Sequence, residues 1–401
     1  MLRVPLSEIR PGMILARPIP LPHDPYRYLL QRDVEIPMDV IPRLKRLGIL
    51  DVWVRNRDFE FLEDLVDEGL SDCQREIYHH VRRNFHSMLR DARVEVDLRH
   101  FQSSISELFN FLKSSLGSGI LLQKLDAFDN YLVSHSANVC YLALLLGMKL
   151  ERYLIEQRQH KTAREAKELH LLGLGCLLHD VGKMRVAREI LDKPGKLTPE
   201  EMAEMRRHTT YGYEMVHNGV PASAAQVVLN HHQRYSGGGY PARIDAASGQ
   251  ELPPPVGRQI PVFSRIAIIA DVYDAATTQR CYSPAKLPVQ ALHEMRTSCR
   301  GFFDPVVAEA FYRVVPPFPI GQVVTLSNGI EAVVVDFSPQ YPVRPKVQCL
   351  RTAAGERFAN PSLEEIDLAL DSDLSVVAVA GQNVRPWMAC QESPLLEPAL
   401  A

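Results

Sequence analysis

The sequence contains no Cys-x-x-Cys spacing, although it holds seven cysteines, at positions 73, 140, 176, 281, 299, 349 and 390. An odd number without paired spacing argues against a disulfide framework and for reduced thiols in a cytoplasm. Long hydrophobic runs are also missing. The longest apolar stretch, ANVCYLALLLGM, falls short of the ~20 residues that span a bilayer, which excludes a membrane span. The opening, MLRVPLSEIRPGM, lacks the apolar core of a secretory signal. Excess charge is absent too: 45 Lys and Arg face 48 Asp and Glu, a net charge of -3. That balance offers no electrostatic footprint for duplex nucleic acid. No internal repeat is found. These absences leave a soluble cytoplasmic protein.

What is present divides into modules. With 401 residues the chain can hold more than one domain, since domains commonly run ~100–200 residues. Residues 1–65 read as a small N-terminal α+β module: short alternating runs, MILARPI and DVWVR, flank a helix over MDVIPRLKRL that is ended by Gly48. Residues 66–124 turn helical and charged, and read as a connector or a dimer-forming region. From 125 to 315 apolar residues recur at helical spacing with few strand signals, which predicts an all-helical main domain. Within it, IEQRQHKTAREAKE (155–168) reads as a solvated helical extension. Residues 316–381 change character again. QVVTLSNGIEAVVVDF holds two β-rich runs around Asn328–Gly329, a hairpin signal, and PKVQCL adds a strand. A small β-barrel-like module is predicted there, followed by a mobile tail over 382–401. The fold class is thus mainly α, a helical bundle between two small modules.

The helical domain carries an unusual set of polar residues. CLLHDVGK places His179 and Asp180 at the end of an apolar run. Burying an ionised carboxylate is costly unless it is paired or holds a metal. Alone, the pair has two explanations: a hydrogen-bonded core pair, or metal ligation. Further ligand-type residues lie along the domain: His135 upstream, then His208, the adjacent His231 and His232, and Asp271 in RIAIIADVYDA. Imidazole with carboxylate suits Fe, Mn, Zn or Co, and one ion takes three to six protein ligands. Seven candidates are too many for one ion and about right for two, with Asp180 as the natural bridge. Two ions ~3.5–4 Å apart can hold a bridging hydroxide and clamp a phosphate, a hydrolase arrangement. Lys183 lies three residues after Asp180 and four after His179; on a helix those positions share a face. It serves a phosphate oxygen or the attacking water, or it reaches solvent at the helix end.

Taken together the motifs resemble the HD-GYP family of the HD phosphohydrolase superfamily. HDVGK is followed by KPGKLT at 193–198, then HHQRYSGGGYP at 231–241, ADVYDA at 270–275 and FDP at 303–305. The resemblance covers residues 125–315. It implies a helical bundle holding two divalent ions, commonly iron or manganese, and hydrolysis of cyclic di-GMP to linear pGpG or GMP by a hydroxide bridging those ions. By motif, the ligands it implies are His135, His179 and Asp271 on one ion, His208, His231 and His232 on the other, with Asp180 bridging. A third ion in some members needs a glutamate where this chain has Tyr131, so two are expected. Asp180 and Lys183 carry the catalytic assignment. Lys183 and Arg280 are implied phosphate contacts, with a surface salt bridge the other reading for Arg280. Tyr240 stacks on a base, docks a signalling partner at the GYP loop, or only packs.

The chain departs from the family pattern at Gln233 (usually Glu), Ser236 (usually Asp) and Ser283 (usually basic). Loss of two carboxylates beside the second ion's histidines would remove groups that orient ligands, an effect of ~10–100-fold in affinity or activity. Alongside cyclic di-GMP hydrolysis, two further readings therefore stand: hydrolysis of another cyclic dinucleotide or nucleotide, and a catalytically weak metal- and nucleotide-binding sensor.

Overall fold

The computed structural model describes residues 1–21, 24–47, 49, 51–60, 62, 103, 105–110, 112, 131–245, 247–278, 285–359 and 364–388. Near the start run β1 (Leu2–Pro5), β2 (Ile19–Leu21), β3 (Asp24–Leu30), α1 (Ile41–Arg46) and β4 (Asp51–Val54). β1 pairs antiparallel with β4, and β2 with β3. The expected stop at Gly48 lies outside the described residues.

The helical domain is built around a helix with no polar face. α5 (Leu169–Leu178) reads LHLLGLGCLL and buries all but one of its residues. A helix apolar all round is stable only when wrapped by others. It is wrapped by α2 (Tyr131–Lys149), α9 (Ala222–Asn230) and α10 (Val262–Thr277), which share its core. Between these lie α3 (Glu151–Gln157), α4 (Ala163–Ala166), a 3-10 turn (Val181–Arg185), α6 (Arg188–Leu191), α7 (Pro199–Arg206) and α8 (His208–Val216). A hairpin of β5 (Arg243–Ile244) and β6 (Glu251–Leu252) precedes α10, and α11 (Pro288–Thr297) and α12 (Pro305–Val314) follow it. α7 starts where the sequence caps it: Thr198 and Glu201 form a reciprocal capping box ahead of Pro199.

Most of the expected connector or dimer-forming segment at 66–124 lies outside the described residues. Its Ile105, Leu108 and Leu112 are fully buried in the helical core, so these three residues pack on the bundle of their own chain. The charged stretch at 155–168 is mostly exposed, as expected, and is anchored through Arg158. Arg158 lies over the Phe263 ring at 4.3 Å and donates to the Glu165 and Ala166 carbonyls. Its guanidinium thereby draws two short helices onto α10.

The C-terminal strands correct one expectation. β7 (Val323–Leu326), β8 (Glu331–Asp336), β9 (Lys346–Arg351), β10 (Glu365–Asp367), β11 (Val376–Val379) and β12 (Gln382–Asn383) form an open six-stranded sheet, not a closed barrel. Its order is β10-β9-β8-β7-β11-β12, so the outer strands never meet. The β7–β8 turn is the expected one: Gly329 adopts a φ of +84°, which a side chain disfavours. The sheet reaches Asn383 and a 3-10 turn at Arg385–Trp387, beyond the expected boundary at 381.

β8 explains how the modules fit together. Side chains alternate across a strand. Val333 and Val335 join the N-terminal core with Leu2, Val4 and Leu44, whereas Ala332 and Val334 join a second core with Val289 of α11. The sheet is therefore buried on both faces, between the N-terminal module and the helical domain.

Candidate metal centre

The apolar helices deliver their polar residues to one point. His135 lies within α2, and Asp271 lies on α10. His179 ends α5, and Asp180 begins the 3-10 turn. His208 opens α8, and His231 and His232 follow α9. All seven predicted ligand residues converge, and their donor atoms fall into overlapping groups within 4.8 Å of one another. Asp180 sits in the middle. Its Oδ1 faces His208 Nε2 at 3.4 Å and His231 Nε2 at 3.8 Å, while its Oδ2 faces His179 Nε2 at 3.3 Å and His135 Nε2 at 3.7 Å. Asp271 Oδ1 lies 3.1 Å from His135 Nε2, and its Oδ2 lies 3.8 Å from His232 Nδ1.

The backbone fixes which ring nitrogens point inward. His179, His208 and His231 each place Nδ1 on the carbonyl three residues earlier, at Cys176 (2.7 Å), Met205 (2.7 Å) and Val228 (2.9 Å). A carbonyl only accepts, so each Nδ1 donates and each Nε2 turns a lone pair to the centre. His208 Nε2 and His231 Nε2 face one another at 3.2 Å. Burial holds the His208 pKa down at about 4 and the His231 pKa well below its ordinary range, so both rings are neutral near pH 7. Two lone pairs at that separation repel unless a cation lies among them. His179 Nε2 and Asp180 Oδ1 are buried with no hydrogen-bond partner among the described residues. The residues fit a cation.

Charge is divided across the site. Burial would raise the Asp180 pKa, but Lys183, His179 and His208 outweigh it and hold the carboxyl well below the usual range. Asp271 is held low in the same way, against burial, by His135 and His232. Burial would lower His135; its two carboxylate partners, Asp271 and Asp274, raise it instead to about 9. Burial pushes His232 down to about 3 despite Asp271.

Lys183 donates to Asp180 Oδ2 at 2.6 Å. The segment that carries it is a 3-10 turn, not a continued α-helix. Three residues per turn eclipse positions i and i+3, which brings Lys183 over Asp180 and away from His179. Gly182 lets this turn lie directly against α8: a Cβ there would collide with the His208 carbonyl and the Gly212 amide.

Tyr240 stacks on His232 with ring centroids 4.7 Å apart. Its contact with the site is therefore packing against a ligand-type ring. Arg280 and Ser283 lie outside the described residues. FDP has a structural role: Asp304 caps α12 through Val306 N, accepts from Tyr153 at 2.7 Å and pairs with Arg265 of α10.

Sequence reasoning missed Asp274. It accepts from His135 Nδ1 at 2.8 Å and is fully buried. Its signal was spacing: it follows Asp271 by three residues, on the same helix face. At Gln233 one end of the amide is satisfied and the other is not: its Oε1 is buried with no hydrogen-bond partner among the described residues. Gln233 Nε2 donates to the Pro241 carbonyl at 2.7 Å, and exposed Ser236 bonds Gly301 through its backbone. Backbone carbonyls, not side chains at 233 or 236, orient His208 and His231.

The chain is similar to known proteins. Residues 149–307 match the family model described as HD domain, and residues 323–384 match that described as KOW domain associated with HD domain. A cyclic di-GMP phosphodiesterase of Pseudomonas aeruginosa, PA4108, is 34% identical over 67% of this chain and 60% of its own length. The cyclic di-GMP phosphodiesterase response regulator RpfG of Xanthomonas campestris is 35% identical over 37% of each chain. A 3'3'-cGAMP-specific phosphodiesterase of Vibrio cholerae is 31% identical over 38% of this chain and 28% of its own. The chain thus spans less than two thirds of the length of these relatives.

Proposed function

We propose, from the match of residues 149–307 to the HD domain family model, that this chain is a metal-dependent phosphodiesterase of that family, which opens cyclic di-GMP to linear pGpG or GMP. The facing lone pairs of His208 and His231, 3.2 Å apart, carry the reading. They call for a cation at this centre, and the relatives are named as phosphodiesterases. We assign His135, His179 and Asp271 to one ion and His208, His231 and His232 to a second, with Asp180 between them; iron and manganese suit these imidazole and carboxylate donors. Bound divalent ions supply the positive charge that polarises a phosphodiester and acidifies water.

The remaining work falls to side chains of this chain. Asp180 offers one oxygen to each half of the site. Lys183, partly buried beside Asp180, takes a phosphoryl oxygen and stabilises charge as it builds there. Asp274 holds the His135 ring in the orientation that points Nε2 inward. Arg280, in its implied role, adds a planar fork to the same phosphate. Tyr240 sets the position of His232.

Anaerobic purification, metal analysis and incubation with cyclic di-GMP and Fe(II) or Mn(II), beside Asp180→Ala, test this. About two ions per chain and cleavage lost in the variant are expected. Two ions with tight binding but no cleavage would instead mark a sensor. The Vibrio relative specific for 3'3'-cGAMP motivates a second substrate, so a panel of cyclic dinucleotides belongs in the assay. A cytoplasmic setting fits the four described cysteines, which form no disulfide. Among the described residues no helix is long and apolar enough to cross a membrane. Assembly as a homodimer, and a signalling partner at the GYP loop, are open to the same preparation by light scattering and pull-down.

A further inference from the structure

Two arginines stand at the rim of the centre with their charges unused. Arg206 ends α7, two residues before His208, and its guanidinium carbon lies 5.4 Å from the centre of the Tyr240 ring. Arg234 follows His232 by two residues and lies over the Phe302 ring at 3.9 Å. Both are exposed, and among the described residues neither has a carboxylate within ion-pair distance. Their neighbours differ. Arg207 is paired with Glu204 at 3.1 Å and lies over Tyr211, and Arg185 is paired with Glu214 at 2.8 Å. Both unpaired arginines are near enough to Tyr240 to act electrostatically on its hydroxyl, as do Asp180 and Asp271 from the centre. The Tyr240 ring thus touches both His232 of the centre and Arg206 of the rim, while Arg234 leaves the same segment on the Phe302 ring.

Aromatic contact holds a guanidinium in place and leaves its five donors free. A fixed, unpaired guanidinium suits a phosphate, which it can grip with two parallel hydrogen bonds. A cyclic dinucleotide carries two phosphodiesters, and the centre engages the one that reacts. We propose that Arg206 and Arg234, flanking Tyr240, form a second anion site that holds the non-reacting phosphodiester of the substrate. This rests on the phosphodiesterase reading for the substrate class. The arginines are binding residues that set specificity for a substrate with two phosphates, and they take no part in bond breaking.

The test compares two probes and two readouts on the full chain. The first readout is the Kd for fluorescent cyclic di-GMP with metal chelated, so that turnover does not enter. Arg206→Gln and Arg234→Gln should each raise it about tenfold, as expected for one charge-assisted contact, and flatten its salt dependence. Arg206→Lys should recover part of the loss, and Arg207→Gln serves as the control that leaves Kd unchanged. The second readout is steady-state kinetics of the metal-loaded chain on cyclic di-GMP and on bis(4-nitrophenyl) phosphate, which has a single diester. KM for cyclic di-GMP should rise with kcat little altered, and the loss in kcat/KM should be several-fold greater than on the single diester. Unchanged Kd in both variants, or equal losses on the two substrates, overturns the proposal. A wild-type chain that binds cyclic di-GMP in the arginine-dependent way but never cleaves it would sink the phosphodiesterase reading and leave the anion site standing.

Discussion

His135 spans two carboxylates of one helix. Its Nδ1 meets Asp274 at 2.8 Å and its Nε2 meets Asp271 at 3.1 Å. The same imidazole therefore has one edge held by a carboxylate that faces away from the centre and the other turned toward it. Asp274→Asn keeps the shape and removes the charge. Metal affinity should fall by ~10–100-fold, the usual effect of losing a carboxylate behind a ligand histidine. Competition against a chromophoric chelator reads this directly, and an unchanged affinity would show that Asp274 does no more than fill space.

Stability of the metal-free protein should peak near neutral pH. His208 and His232, held by burial near 4 and 3, refuse protons in the folded state that the unfolded chain accepts near 6.5. Folding is therefore penalised as pH falls below about 6.5. Asp180, held low, loses its contribution in the same direction as it is forced to protonate. His135 acts oppositely: raised to about 9, it contributes stability in full below its unfolded value, and that contribution is lost as pH rises through 9. A thermal midpoint measured from pH 4 to 10 should fall on both sides. Bound metal should flatten the alkaline fall, because it takes the place of the His135 proton. A flat profile without metal would refute this.

Gly182→Ala puts a methyl group into the backbone of α8. The 3-10 turn must move, and with it Asp180 and Lys183. A loss of about 1–3 kcal/mol is expected from overpacking of this kind. Chemical denaturation measures it, and metal content should drop in the same variant.

Asp304→Asn breaks the buried pair with Arg265, which is 2% exposed. Removing one partner of a buried ion pair costs ~3–5 kcal/mol, because the other charge is left behind. Replacing both, in Arg265→Met with Asp304→Leu, should cost less than the single change. Thermal unfolding of the three variants separates the effect of charge from that of the α12 cap.

Much of the centre could be read from the chain because each ligand residue ends or punctuates an apolar helical run. A histidine after LHLLGLGCLL has nowhere to go but inward. Asp274 was hidden by its resemblance to an ordinary helix residue, and its role depends on α2 crossing α10. The partner of Gln233 was hidden for a related reason: it is set by the loop returning at Pro241. The turn after Asp180 was read as helix because its close packing on His208 and Gly212 involves residues distant in sequence. The run AVVV in β8 announced a strand, yet nothing local said that the N-terminal module would cover one of its faces.

That last arrangement makes the two ends of the chain a single folding partner. Val333, Val335 and Leu350 share a core with Leu2, Val4 and Val54. A truncation that starts at the helical domain would keep every residue of the centre and still strip the sheet of its cover. The exposed valines would then offer an apolar face to other copies, and the shortened protein would aggregate before it lost its metal. Conversely, a displacement of the N-terminal module is borne by the sheet, whose opposite face rests on Val289 of α11. Mechanically, the N-terminal module reaches the bundle through the sheet.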